Sequence, residues 1–287
     1  MCKNPRPTWQ VSHGWPLLAE DTVHIWAIPL DALPAHIDRL RAALSPEERT
    51  RAAAFRFPQV RRRFVVARAA LRQVLAGYLG TSPSSVAFQY GPFGKPALAA
   101  PTARRRGSLG SASSAPSSTD VPVESEPLAG AAAAVGAPPL TFNLSHSADL
   151  ALIAVTRGRA VGVDVEHLRP VTDADAIAEG YFCPAERSIL RQCSGPAKQA
   201  LFLTYWTRKE ALLKATGDGL GLPLDAVDVS AVRGDEAAAV RVVDGAGVLR
   251  RLSLLDLCPP GDYLGAVAVE GSGWRLACWH WPPTDRR

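Results

Sequence analysis

Three short stretches of this chain carry residues whose types and spacing could do chemistry. In Val161-Gly-Val-Asp-Val-Glu166 the alternation is strict. On a strand, Val161, Val163 and Val165 face a core, while Gly162, Asp164 and Glu166 share the opposite side. Two carboxylates about 7 Å apart on one face, beside a glycine that leaves room, could hold a hard divalent cation. Mg²⁺ binds one or two carboxylates, waters and a substrate phosphate in this way. The same pattern also fits an exposed strand with two solvated acids, although like charges at i,i+2 repel unless something positive lies between them. In Trp206-Thr-Arg-Lys-Glu-Ala-Leu-Leu-Lys214, Trp206, Glu210 and Lys214 fall on one stripe of a helix. Glu210 and Lys214 read either as an i,i+4 surface pair contributing roughly 0.2–0.5 kcal/mol or as a carboxylate and an ammonium that share a ligand. In Asn143-Leu-Ser-His-Ser147 the small polar residues can hydrogen-bond phosphate. His146 there can bind an anion, relay a proton or be structural.

The elements that must position these groups are legible from periodicity. Leu140–Ser147 leads into an apolar strand at 150–156, and the turn Arg157-Gly158-Arg159 returns the chain along 160–166 as a buried β-hairpin. Helices are expected at 173–180, 184–193 and 196–215, the last broken by Gly217-Asp-Gly-Leu-Gly-Leu-Pro223. Strands follow at 240–243, 249–257, 262–270 and 274–281. In the first part, Val23–Leu30 reads as a strand and 36–43 as a short helix. Ser45-Pro-Glu-Glu48 has the residues of a capping box with proline at N1. The helical pattern then runs to Gly80 with a break near Phe57-Pro58. Its arginines (Arg49, Arg51, Arg56, Arg61, Arg62, Arg63, Arg68 and Arg72) form either a solvated face or, in part, a phosphate clamp. A strand at 86–90 precedes the emphatic turn Gly91-Pro-Phe-Gly-Lys-Pro96. Helices on one side of antiparallel strands give an α+β fold.

Composition bounds the function. The chain has 287 residues, 47% hydrophobic, enough for one large domain or two small ones. No apolar run approaches the roughly 18 residues of a membrane span. The start of the chain lacks the apolar stretch of a secretory signal. Five scattered cysteines form no zinc spacing and no disulfide framework, which is expected of reduced thiols in the cytoplasm. Net charge is +5 and most basic residues are arginine, which suits a phosphorylated ligand or an acidic partner, or reflects genome composition. With aromatics at 7% and no basic–aromatic alternation, nucleic acid is not the expected partner. Walker, G-x-S-x-G and G-x-G-x-x-G frameworks are absent. Residues 1–19 read as an N-terminal arm, 20–100 as a first α+β half and 140–287 as a second. Between them, 101–139 is Ala/Ser/Gly/Pro/Thr-rich and reads as a disordered insertion, lacking the apolar residues that offset ordering entropy.

Taken in order, Asn143-Leu-Ser-His-Ser147, Gly162-Val-Asp-Val-Glu166 and Trp206-x-x-Lys-Glu-Ala-x-x-Lys214 resemble the signature of the 4′-phosphopantetheinyl transferases, most closely the longer, surfactin-synthetase-activating type. Gly94-Lys-Pro96 also resembles that type, and the match spans roughly residues 20–100 and 140–270. The resemblance implies a pseudo-dimer of two similar α+β halves, each a small antiparallel sheet packed with helices, with coenzyme A in the cleft between them. The implied reaction moves the 4′-phosphopantetheine arm of coenzyme A to a serine of an acyl- or peptidyl-carrier protein, releasing adenosine 3′,5′-bisphosphate. It implies Asp164, Glu166 and Glu210 as ligands of Mg²⁺, with Mn²⁺ as an alternative, and Lys214 on the phosphates of coenzyme A. Ser145 and His146 would lie on the 3′-phosphate side and Lys95 at the nucleotide, with Arg51 and Arg63 as basic phosphate contacts. Glu48 stands where the family often has a basic residue, so the clamp is expected to be arranged differently here.

Glu210 is the expected base for the carrier serine, acting directly or through a metal-bound water, and Trp206 the packing anchor of its helix. Acidic carrier domains would be steered by the basic surface, and one chain supplying both halves implies a monomer. The alternatives are another Mg²⁺-dependent enzyme using coenzyme A or a nucleotide on this scaffold, or a non-enzymatic basic binding protein. Relative to the family, fifty residues separate Lys95 from Ser145 because of the insertion, which loop-closure entropy tolerates.

Overall fold

A computed structural model describes residues 8–31, 34–99, 138–217, 223–232 and 236–284. The insertion expected at 101–139 lies almost wholly outside the described residues. Two sheets form the centre. In spatial order the first consists of β1 (Trp9–His13), β11 (Arg275–Thr284), β2 (Thr22–Pro29), β6 (Leu150–Arg157) and β5 (Leu140–Ser147). The second consists of β7 (Val161–His167), β10 (Tyr263–Glu270), β9 (Leu249–Leu257) and β8 (Ala238–Val243). A separate ribbon pairs β3 (Phe88–Tyr90) with β4 (Pro96–Leu98).

The sheets pack face to face, because their strands are apolar on that side. Val23, Ile25, Ala27, Leu152 and Ala154 of the first meet Val161, Val163, Val165 and Val267 of the second in one buried cluster. Each outer face is covered by a long helix. On the first sheet, α3 (Pro58–Leu79) packs Leu71, Val74 and Leu75 on Trp26, Ile28, Ile153 and Val155. On the second, α6 (Gly195–Thr216) packs Ala211, Leu212 and Ala215 with Leu254, Ala266 and Ala268. The result is an α+β protein of four layers, helix–sheet–sheet–helix. The two halves echo each other: both long helices have 22 residues, begin with proline in the first turn and end at a left-handed glycine, Gly80 or Gly217.

The smaller helices α1 (Pro34–Ala42), α2 (Pro46–Ala54), α4 (Ala174–Tyr181) and α5 (Pro184–Arg191) lie close to their expected places. The capping box of α2 is formed: Glu48 N donates to Ser45 Oγ at 3.2 Å, and Ser45 N donates to Glu48 Oε2 at 2.9 Å.

Four expectations are corrected. The arm read at 1–19 contributes β1, which pairs with β11. The first sheet is not wholly antiparallel, since β11 runs parallel to both β1 and β2. The expected hairpin of 150–156 with 160–166 does not form. The β6 strand is flanked by β2 and β5, so the chain crosses at Arg157–Ala160 into the other sheet; the hairpin is β5–β6 instead. Nor does the 100/140 break divide the sheets, because β5, β6 and β11 all lie in the same sheet as β2. Periodicity reported which stretches are strands, but pairing between apolar strands is chosen by faces that belong to distant residues.

Candidate functional site

The β5 and β7 strands are edge strands of different sheets, and alternate residues of β5 stitch them together. Asn143 Oδ1 accepts from Val163 N at 2.9 Å. Ser145 Oγ donates to Asp164 Oδ1 at 2.7 Å, and Ser147 Oγ donates to Glu166 Oε2 at 2.7 Å. The period of two along β5 therefore places three short polar side chains against β7, two of them on the carboxylates of Asp164 and Glu166.

The α6 helix is brought onto the same strand by Gly162. A Cβ there would lie 2.1 Å from the Ala211 carbonyl oxygen and 2.3 Å from Ala215 N, so only glycine permits this approach. The face carrying Gly162, Asp164 and Glu166 is thus covered by a helix rather than exposed. It brings Lys214 within 2.6 Å of Asp164 Oδ1 and 2.9 Å of Ser145 Oγ. The i,i+4 ion pair between Glu210 and Lys214 is not formed; the ammonium serves Asp164 instead.

The electrostatics are those of an acidic site facing one lysine. Asp164 is only 3% exposed, and its Oδ2 is buried with no hydrogen-bond partner. Burial pushes the Glu210 carboxyl above its ordinary value; Lys214 opposes this, while Asp164 and Glu166 add to it. The donor chemistry of Asp164, Glu166 and Glu210, with one buried carboxylate oxygen left without a partner, suits a hard divalent cation, but their ligand atoms do not all lie within 4.8 Å of one another. Among the described residues, the three donors whose ligand atoms all lie within 4.8 Å of one another are Cys183, Glu186 and Asp228. Those three do not suit a metal. Glu186 already accepts from Lys209 Nζ, Cys183 N and Val229 N, and burial pushes the Cys183 thiol up, away from the thiolate a metal needs.

Lys209 is the residue that sequence reasoning missed. It is 0% exposed, with Nζ 2.8 Å from Glu186 Oε2 and 2.7 Å from the carbonyls of Leu224 and Val227. A signal was present: it falls on the buried stripe Phe202, Tyr205 and Leu212 of α6, where a lysine must find partners. Trp206, expected to anchor this helix, is half-buried against Phe202 and Tyr181, and Lys209 is the deeper fixture.

The remaining expected residues are more scattered. His146 is exposed and points to the side of β5 opposite Ser145. Arg51 is exposed, with its guanidinium 5.5 Å from the centre of the Phe64 ring. Arg63 pairs with Asp31 at 3.2 Å. It also helps Tyr263, whose hydroxyl has the larger effect, to hold the Asp149 carboxyl low, which places Arg63 near the β5–β6 turn. No hydrogen bond or ion pair joins Arg51, Arg63 or His146 to the Asp164–Lys214 group among the described residues. Lys95 lies at the end of α6, its Nζ on the carbonyl of Lys214. Glu48 is held by two arginines of α3. Its oxygens pair with Arg68 at 2.5 Å and Arg72 at 2.6 Å, so those two arginines are structural. Burial would raise the Glu48 carboxyl, but the Arg72, Ser45 and Arg68 contacts together hold it low.

A family model described as the 4′-phosphopantetheinyl transferase superfamily matches residues 160–267, which include Asp164, Glu166, Glu210 and Lys214. The chain is 39% identical over 264 residues to the 4′-phosphopantetheinyl transferase HetI of Nostoc sp., covering 92% of this chain and 94% of that protein. The chain belongs to the 4′-phosphopantetheinyl transferase superfamily. It is also similar to a 4′-phosphopantetheinyl transferase of Bacillus subtilis (27% identical, covering 72% of this chain and 75% of the other). A phosphopantetheinyl transferase of Thraustochytrium sp. is 28% identical, with 85% of this chain and 75% of that protein covered. The protein is therefore a transferase, and the stretch that family membership identifies is the one in which β7 and α6 meet at Gly162. Among the described residues of this transferase, no helix is long and apolar enough to cross a membrane.

Proposed function

We propose that this transferase moves the 4′-phosphopantetheine arm of coenzyme A to a serine hydroxyl of an acyl- or peptidyl-carrier protein. The observation that carries this reading is the convergence of Ser145, Asp164 and Lys214 within hydrogen-bond distance, with Glu210 near enough for its carboxyl to respond to Lys214 and Asp164. In the transfer, the serine oxygen bonds to the phosphorus bearing pantetheine. The pyrophosphate P–O bond breaks, adenosine 3′,5′-bisphosphate leaves with the bonding pair, and the serine gives up its proton.

Asp164, Glu166 and Glu210 would hold Mg²⁺, with Mn²⁺ as a substitute. When bound, the cation neutralises charge developing on the pyrophosphate oxygens. Lys214 adds a second positive charge from a partly enclosed position, where it acts more strongly than in water. Ser145 and Asp164 keep that ammonium in place before the substrate arrives. Glu210 accepts the serine proton, directly or through a water. Ser145, His146, Arg51 and Arg63 are the groups proposed to meet the phosphates of coenzyme A.

The net charge of +5 supports an acidic carrier as partner. Two similar halves within one chain support a monomer, and free thiols at Cys183, Cys193 and Cys278 support a cytoplasmic enzyme. The test is to incubate the protein with coenzyme A, Mg²⁺ and an apo-carrier and weigh the carrier by mass spectrometry. It should gain one phosphopantetheine, and should not do so with chelator or with Asp164→Asn. A carrier of unchanged mass with the wild-type protein overturns the reading.

A further inference from the structure

Lys95 sits in the turn between β3 and β4, and its ammonium reaches across to the end of α6. Nζ donates to the carbonyl of Lys214, to that of Ala215 at 3.3 Å and to that of Val161 at 3.4 Å. The first two are among the last carbonyls of α6, which a helix leaves without partners of its own. A cation there also meets the negative end of the helix dipole. The third belongs to β7, the strand that carries Asp164 and Glu166. The stem of Lys95 packs beside the left-handed Gly217, where a Cβ would lie 3.5 Å from Lys95 Cδ. One side chain therefore ties a turn of the first half to the helix bearing Glu210 and Lys214 and to the strand bearing their acidic partners.

We propose that Lys95 is a positioning residue, whose ammonium fixes the last turn of α6 so that Lys214 stays on Asp164 and Ser145, rather than a charge that binds the nucleotide. Its three N–H donors each have a backbone carbonyl within reach. Those carbonyls belong to the two elements whose approach Gly162 permits, so the latch lies beside the contact that makes the site. Loosening the last turn would let the Lys214 side chain swing, and small misplacements of a catalytic group are expensive. The inference rests on the transferase reading, because the position it protects matters only if Lys214 acts on phosphate.

The experiment compares wild type, Lys95→Met and Lys95→Arg in three measurements: kcat and KM for coenzyme A with saturating apo-carrier, direct coenzyme A binding by calorimetry, and amide hydrogen exchange across the end of α6. For a latch, Lys95→Met lowers kcat roughly tenfold or more. KM and the calorimetric Kd for coenzyme A stay within about threefold, and the amide of Gly217, which donates to Leu213 O, exchanges faster. Lys95→Arg, which keeps a cation able to reach carbonyls, recovers part of kcat and of the protection. A variant that keeps kcat while KM and Kd rise is a nucleotide contact, and the proposal fails. Unchanged exchange at the end of α6 overturns it equally, whatever happens to the rate. Exchange needs no turnover, so a wild-type protein that modifies no carrier defeats the transferase reading separately from the latch.

Discussion

Replacing Lys209 with methionine tests how α6 is held. In the wild type its ammonium is wholly buried, with one carboxylate oxygen of Glu186 at 2.8 Å and two backbone carbonyls at 2.7 Å. Methionine fills much of the same volume but supplies no charge and no donor. Glu186, itself wholly buried, is left with only the amides of Cys183 and Val229, each at 2.8 Å. Removing one partner of a buried ion pair costs about 3–5 kcal/mol because the other charge stays desolvated. Against a typical domain stability of about 5–15 kcal/mol, that is a large share. Urea unfolding should show a lower midpoint at an unchanged slope. The double variant Lys209→Met/Glu186→Gln removes the stranded charge and should be more stable than Lys209→Met alone by at least about 1 kcal/mol, a coupling that a double-mutant cycle measures. A single variant that loses less than about 1 kcal/mol, or a double variant whose loss is the sum of the two singles, would refute the view that this pair is a desolvated unit.

The other predictions concern the contacts around the same core. Gly162→Ala places a methyl 2.1 Å from the Ala211 carbonyl oxygen, a clash with backbone that no rotamer relieves. Unfolding measurements should show a loss of about 3 kcal/mol or more, with transfer activity lost even where the variant remains folded. His24 is buried on β2 with its Nδ1 2.7 Å from the Tyr78 hydroxyl, which Trp26 Nε1 also meets at 2.9 Å. Burial lowers its pKa from 6.5 to about 4. The unfolded chain therefore binds a proton that the folded chain refuses between those values. The associated stability is present above pH 6.5 and is lost as pH falls toward about 4, amounting to about 3 kcal/mol. Unfolding of wild type and His24→Gln across that range should show a shallower acid loss in the variant, and parallel curves would contradict the assignment. Glu210→Gln should abolish transfer while calorimetric binding of coenzyme A is largely retained; full turnover would remove Glu210 from both proposed roles. If encounter with an acidic carrier is steered by charge, kcat/KM for the carrier falls as ionic strength rises, and an indifferent rate would count against steering.

Much of the site could be read from the residues because it is built from local repeats. Strict alternation in Val161–Glu166 and helical spacing in Trp206–Lys214 fixed which side chains share a face. The capping box at Ser45, the break at Phe57-Pro58 and the glycine stop at Gly217 set the helix limits. Backbone geometry repeats every two or 3.6 residues whatever the rest of the chain does, so these features need no knowledge of distant partners. What a face meets is another matter. Nothing local told Glu48 that it would hold Arg68 and Arg72. The order of strands along the chain suggested β6–β7 pairing, and the structure placed those strands in different sheets.

By itself the sequence determined the elements, the ordered motifs and the family they resemble. Only the tertiary structure decided that Lys214 serves Asp164 rather than Glu210, that Lys209 is a buried fixture of α6 and that Lys95 reaches the end of that helix. Each of these contacts joins residues from separate elements. Their geometry is set by how closely two sheets and two helices pack, and at Gly162 that closeness depends on the absence of a single methyl group.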